Sequence, residues 1–149
     1  MIQLEKRIRT TVFLKGCNMK CEWCHNPETI NFKNDILFYE TNCIGCGKCF
    51  DICPVGAHSV IDGKHTIDKD KCTLCGKCVD ICAAQALKFS SKQMSIEEIM
   101  SELVQDKAYY EASGGGVTVS GGEALCAGKF LCEVLRLCRD AGINTAIDT

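Results

Sequence analysis

Apolar residues along this chain recur at two periods, and the period switches with position. Residues 10–14, "TTVFL", are rich in β-formers and stop at Lys15-Gly16, which predicts a short strand running into a loop. From residue 95 to about 112 the spacing is helical, with Ile96, Ile99, Met100, Leu103 and Val104 on one face. Ser95 and Glu98 make a capping-box pair at its start, and residues 113–116 end it. Residues 117–120 predict a second strand, followed by Gly121-Gly122-Glu123. A second helix is predicted from about 127 to 141, with Leu131, Val134, Leu135 and Cys138 inward and Gly142 as its stop. Residues 143–148, "INTAID", predict a third strand.

Strand, helix, strand, helix, strand is a parallel α/β order. Each strand runs into chemically loaded residues, as at the C-terminal edge of a parallel sheet or barrel. A parallel sheet is normally covered on both faces and continued at its edges. Here the third strand stops where the sequence stops, so the expectation is part of a larger domain.

A second kind of sequence interrupts this order after the first strand. Residues 43–53 read "CIGCGKCFDIC" and residues 72–82 read "CTLCGKCVDIC", identical at eight of eleven positions and offset by 29. This is an internal repeat that carries its cysteines with it. The stretch between predicts a hairpin turning at Asp62-Gly63, with a further turn near 68–71. The module has few large apolar residues, and such modules usually need metal to fold.

Composition sharpens the metal reading. Cysteine makes up 14 of 149 residues. In a secreted chain that density would mean disulfides. Residues 1–13, however, carry charges where a signal peptide has its apolar core. No apolar run approaches the ~20 residues of a membrane helix. The expectation is a cytoplasmic protein with reduced thiols clustered for metal. Net charge is −2 with both signs mixed, which gives no sign of nucleic acid or a polybasic membrane patch.

The two runs resemble those of two-cluster ferredoxins, where C-x2-C-x2-C-x3-C binds 4Fe–4S clusters and the fourth cysteine serves the other cluster. That resemblance implies one cluster on Cys43, Cys46, Cys49 and Cys82, and another on Cys72, Cys75, Cys78 and Cys53. Zinc is the rival, but its sites generally pair distant C-x2-C knuckles. Ala83 follows Cys82 where the pattern has proline, as Pro54 follows Cys53.

A third cysteine group, "CNMKCEWCH", places Cys17, Cys21 and Cys24 directly after the first strand, with Trp23 before the last. C-x3-C-x-aromatic-C resembles the motif of radical S-adenosylmethionine (SAM) enzymes. "RTTVFLKGCNMKCEWCHNPET", the double ferredoxin insert, "YYEASGGGVTVSGGEAL" and "GINTAIDT" together resemble one subgroup. These are the glycyl-radical-enzyme activating enzymes, relatives of pyruvate formate-lyase-activating enzyme. The resemblance runs from about residue 9 to 149.

The resemblance implies a third 4Fe–4S cluster on Cys17, Cys21 and Cys24, with its open iron chelated by SAM. Trp23, Gly121, Gly122, Glu123 and Asp148 then contact the cofactor. Glu123 meets the SAM amino group; Asp148 lies by the SAM carboxylate and a monovalent cation. It also implies the chemistry: reductive cleavage of SAM to a 5′-deoxyadenosyl radical, which takes a glycine Cα hydrogen from a partner glycyl radical enzyme. A flavodoxin or ferredoxin-type protein supplies the electron. No catalytic acid, base or nucleophile is expected.

The implied fold is a partial radical SAM (β/α) barrel, about three of six strands, with an inserted α+β two-cluster ferredoxin-like domain. The expected layout is the barrel start over 1–39, the insert over 40–87, and barrel again over 88–149. "LEKRIR" stands where the family has a "DGPGIR"-like segment, and the sequence reads as the front half of the family's enzyme. The alternative expectation is a truncated fragment acting at most as an iron–sulfur electron-transfer or binding module.

Other residues receive plainer readings. Cys138 is expected as a buried small apolar residue, and Cys126 and Cys132 as structural. His25 is loop structure, His58 and His65 are solvated in the hairpin, and Tyr109 and Tyr110 pack at a helix end. Lys48 and Lys77 are solvated and placed to meet an acidic electron donor.

Overall fold

A computed structural model describes residues 7–149. The charged opening residues 1–6, part of the argument against a signal peptide, lie outside the described residues. Seven strands are formed: β1 (Arg9–Leu14), β2 (Ile36–Phe38), β3 (His58–Ile61), β4 (Lys64–Ile67), β5 (Leu87–Phe89), β6 (Gly116–Gly121) and β7 (Thr145–Ile147). The helices are α1 (Lys48–Ile52), α2 (Lys77–Asp80), α3 (Ile96–Gln105), α4 (Lys107–Ser113) and α5 (Lys129–Asp140). Among the described residues no helix is long and apolar enough to cross a membrane. The chain divides into two compact units, Asn34–Lys92 and the segments on either side of it.

The flanking segments fold as mixed α/β. β1, β6 and β7 form a parallel sheet in the order β1-β6-β7, with Val12 opposite Val119 and Val119 opposite Ile147. The apolar faces of α3 and α5 close over it. Leu103, Val117, Val119, Val134 and Cys138 are fully buried, and burying a Val or Leu side chain is worth about 1.5–3 kcal/mol. Arg9 staples the start of the sheet: its guanidinium donates to Thr118 Oγ1 (2.8 Å), Asn144 Oδ1 (2.9 Å) and the Val117 carbonyl.

The predicted capping box is present: Ser95 Oγ accepts from the Glu98 N–H and Glu98 Oε2 accepts from the Ser95 N–H. The single helix expected over 95–112 is instead two, α3 and α4, broken at Asp106. Asp is a weak helix former because its side chain competes for hydrogen bonds. Here Asp106 Oδ2 accepts from Thr10 Oγ1 of β1 at 2.7 Å. The second helix also starts later than expected. A 3-10 turn over Ala124–Ala127 comes first, and α5 begins after Gly128.

Two glycines let β6 end as it does. A Cβ on Gly121, whose φ is +109°, would stand 2.4 Å from the Leu14 carbonyl oxygen; one on Gly122 would stand 2.3 Å from that of Gly16. Neither fits, so the loop after β6 hugs the end of β1. The Gly122 and Glu123 N–H groups donate to the Leu14 and Gly16 carbonyls.

The unit Asn34–Lys92 is built from two similar halves. α1 and α2 are short helices inside the cysteine runs, and both start from a left-handed glycine, Gly47 (φ 74°) and Gly76 (φ 78°). β3 and β4 form the predicted hairpin, with Asp62 (φ 51°) and Gly63 (φ 75°) at its turn. That pair of positive φ values is the type I′ hairpin geometry. β2 and β5 pair antiparallel, Leu37 opposite Lys88, and join the ends of the unit. Its core is small: Ile36, Cys78 and Leu87, edged by other cysteines.

Candidate functional site

All fourteen cysteines carry free thiols. In the unit Asn34–Lys92, Cys43, Cys46, Cys49 and Cys82 line one cavity of about 210 Å³. The rest of its wall is largely apolar, including Phe38, Ile44, Phe50, Ile81 and Leu87. Cys82 comes from the second run and the other three from the first. On the other side of the repeat, Cys53 and Cys72 lie close enough for their charge to act on the Cys78 thiol. Cys53 thus sits with the second run, as Cys82 sits with the first.

The backbone aims N–H groups at these sulfurs in a repeated way. Ala57 N–H donates to Cys53 Sγ and Ala86 N–H to Cys82 Sγ, both at 3.3 Å; Gly45 N–H donates to Cys43 Sγ at 3.4 Å. The Ala57 N–H holds the Cys53 thiol below its ordinary value, whereas burial pushes Cys49 and Cys78 up. Thiolates stabilised by N–H donors around an apolar cavity are the donor set of an iron–sulfur group, so the residues fit one.

His58 and His65 are not the solvated residues expected from the sequence. His58 is buried, and its Nδ1 lies 2.8 Å from His65 Nε2. Both rings pack against Phe50, and His65 also against Phe38. Burial, with the neighbouring His65 as a smaller cause, lowers the His58 pKa; burial alone lowers that of His65. One donor atom from each of Cys49, His58 and His65 lies within 4.8 Å of the others. The sequence held a signal for this. His58 opposes Ile67 and His65 opposes Val60, so strand alternation puts both rings on one face of the hairpin.

In the α/β unit, the remaining predicted residues sit at the C-terminal edge of the parallel sheet. Cys17, Cys21 and Cys24 lie on the loop leaving β1, and the Met19 N–H donates to Cys17 Sγ at 3.4 Å. Cys17 and Cys24 are half-buried, Cys21 is exposed, and Trp23 is 78% exposed. Gly121, Gly122 and Glu123 follow on the loop after β6. Asp148 follows β7; its N–H donates to the Val119 carbonyl at 2.9 Å and its Oδ2 accepts from Ser120 Oγ at 2.8 Å.

Glu123 is buried, and its Oε1 accepts from the Leu125 N–H at 2.9 Å, capping the 3-10 turn. Both carboxylate oxygens also receive Thr149 Oγ1, at 2.8 and 2.9 Å. Sequence reasoning assigned Glu123 to a ligand and missed these internal partners. Of the plainer readings, Cys138 and Tyr110 are buried in the core, while Tyr109, Cys126 and Cys132 are exposed.

Comparison with known proteins adds lineage to this geometry. Residues 42–86 match the family described as "4Fe-4S dicluster domain", and residues 6–50 match "4Fe-4S single cluster domain". The chain is 44% identical over 147 residues to the benzylsuccinate synthase activating enzyme of Thauera aromatica, covering 95% of this chain and 44% of that protein. It is 44% identical over 143 residues to the trans-4-hydroxy-L-proline dehydratase activating enzyme of Clostridioides difficile, covering 95% and 47%. To the choline trimethylamine-lyase activating enzyme of Oleidesulfovibrio alaskensis it is 41% identical over 145 residues, covering 95% and 47%. The chain therefore spans about half the length of the curated relatives it matches. Over nearly its whole length it is a homologue of glycyl-radical-enzyme activating enzymes, and its residues 42–86 carry a 4Fe-4S dicluster sequence.

Proposed function

We propose that this chain is the SAM-binding and cluster-binding part of an activating enzyme for a glycyl radical enzyme. The observation that carries this is the gathering of three separate segments at one sheet edge: the Cys17–Cys21–Cys24 loop, Gly121-Gly122-Glu123, and Asp148. The three-stranded parallel sheet is then the beginning of a radical SAM barrel. Residues 40–87, within the compact unit Asn34–Lys92, are its two-cluster ferredoxin-like insert.

Cys17, Cys21 and Cys24 hold one 4Fe–4S cluster; the set Cys43, Cys46, Cys49 and Cys82 and the set Cys72, Cys75, Cys78 and Cys53 hold two more. When bound, the first cluster and SAM together supply a 5′-deoxyadenosyl radical, which takes a Cα hydrogen from a glycine of the partner enzyme. The chain's own groups bind and orient. The Glu123 carboxylate receives the SAM ammonium, a charge-assisted pair, exchanging Thr149 for it. Gly121 and Gly122 let the loop after β6 close on the end of β1, which sets where the Glu123 backbone stands. The Asp148 carboxylate, held by Ser120, faces a monovalent cation. Trp23, exposed on the cysteine loop, contacts the cofactor. Electrons come from a flavodoxin or ferredoxin-type donor.

The test is anaerobic reconstitution of the chain with iron and sulfide, then SAM and dithionite. About 12 irons per chain, three clusters of about four, and release of 5′-deoxyadenosine are expected. Fully loaded clusters without 5′-deoxyadenosine would overturn the SAM reading. One observation favours a second reading, an iron–sulfur electron-transfer module: the Glu123 carboxylate is already satisfied by Thr149 and the Leu125 N–H. About eight irons per chain with no SAM binding selects that reading.

A further inference from the structure

The internal repeat contains its own comparison. With an offset of 29, Cys49 corresponds to Cys78 and His58 to Leu87. The structure keeps the correspondence. Leu87 packs with Cys78 in the core of the unit, and His58 stands near Cys49 in the other half. Both positions are buried and both begin a strand. One half therefore has an imidazole where the other has an isobutyl group.

His58 does not act alone. Its Nδ1 meets His65 Nε2 at 2.8 Å, and His65 lines the same cavity as Cys43, Cys46, Cys49 and Cys82. Two neutral imidazoles carry two N–H groups between them. One lies in the His58–His65 hydrogen bond, which leaves one for the surroundings. That N–H is His65 Nδ1 or His58 Nε2, according to which ring donates in the pair, and of the two rings His65 is the one that lines the cavity.

We propose that His65, oriented by His58, is an N–H donor to the sulfurs of the iron–sulfur group held by Cys43, Cys46, Cys49 and Cys82, and makes it the higher-potential of the two insert clusters. This rests on the cluster assignment above. One-electron reduction of a thiolate-ligated cluster adds negative charge and makes or breaks no bond. A fixed N–H dipole near the sulfurs stabilises the more negative state and raises the potential. In an apolar cavity that dipole is weakly screened. The unit Asn34–Lys92 contains no further histidine for the partner cluster, and Leu87, which matches His58 in the repeat, itself lines the cavity that His65 lines. Two clusters in near-identical loops are thereby set apart, and an electron entering the insert settles first on the one beside His65. His58, which acts through His65, is a positioning residue.

The experiment is an anaerobic redox titration of the reconstituted chain, read by electron paramagnetic resonance, with iron and sulfide counted first. The native chain should show two separate reductions in the insert. His65→Leu should shift the higher one downward and leave the lower in place, whereas His65→Asn, which keeps an N–H, should restore part of the shift. His58→Leu, which gives the first half the residue of the second, should shift the same wave. An insert that fails to take up two clusters in the native chain overturns the cluster assignment instead. Two loaded insert clusters that reduce at one potential in the native chain overturn this proposal without any variant. So do intact clusters with unmoved potentials in both leucine variants.

Discussion

Thr149 Oγ1 reaches both carboxylate oxygens of Glu123, at 2.8 and 2.9 Å, across 26 residues of sequence. This contact links the residues just past β6 and just past β7, and it places a charge-accepting group of the proposed SAM site under internal control. Removing either partner separates the structural role of the carboxylate from its binding role. Thr149→Val should lower stability by about 0.5–1.5 kcal/mol and leave SAM binding intact or tighter, because the carboxylate is freed. Glu123→Ala should cost about 1–2 kcal/mol through loss of the cap and abolish SAM binding. Urea denaturation and equilibrium dialysis with SAM read the two effects separately.

Gly122 tests the sheet edge by sterics alone. Its added Cβ would stand 2.3 Å from the Gly16 carbonyl oxygen, a backbone atom fixed by its place between β1 and the cysteine loop. Gly122→Ala should therefore destabilise the α/β unit by more than about 2 kcal/mol, seen as a fall in Tm. A neutral substitution would mean that the loops after β1 and β6 do not approach as described.

The exchange of fourth cysteines between the halves predicts a specific loss. Cys82→Ser should remove about four irons from the set shared with Cys43, Cys46 and Cys49, and should spare the cluster on Cys72, Cys75 and Cys78. Cys53→Ser should do the converse. Iron analysis combined with the redox titration distinguishes them. Stripping all iron with a chelator should unfold residues 34–92, whose apolar core is too small to hold without metal.

Cys138 should differ in reactivity from Cys132, also on α5, and from Cys126 in the 3-10 turn before it. Burial holds the Cys138 thiol above its ordinary value of 9.0. Cys126 and Cys132 are exposed. Iodoacetamide at pH 8 should modify Cys126 and Cys132 and leave Cys138 untouched, as peptide mass mapping would show. Because its folded pKa is raised, the stabilising contribution of Cys138 is complete below that ordinary value and is lost as pH rises through the folded one. Tm should fall with rising pH above that value, and Cys138→Ala should flatten the slope.

Much of the architecture lies in local pattern. The periods of residues 10–14, 117–120 and 127–141 place strands and a helix because an amphipathic face must repeat with the element that buries it. The Ser95–Glu98 box marks a helix start because both groups sit within one turn. The turn at Asp62-Gly63 is local for the same reason. What pattern misses are contacts closed over long separations. The helix break at Asp106 follows from a hydrogen bond to Thr10, 96 residues away. A window of sequence around Asp106 contains no trace of Thr10.

The sequence by itself determined the chemistry available: three cysteine groups, a 29-residue repeat, and a glycine pair before a carboxylate. Ligand type and spacing are written into the chain, and spacing within one loop is a local property. Only the tertiary structure decided the company each group keeps. It turned Glu123 toward Thr149, buried His58, and set His65 in the wall of a cysteine cavity. Those pairings depend on which faces are buried together, and burial is fixed by the fold as a whole.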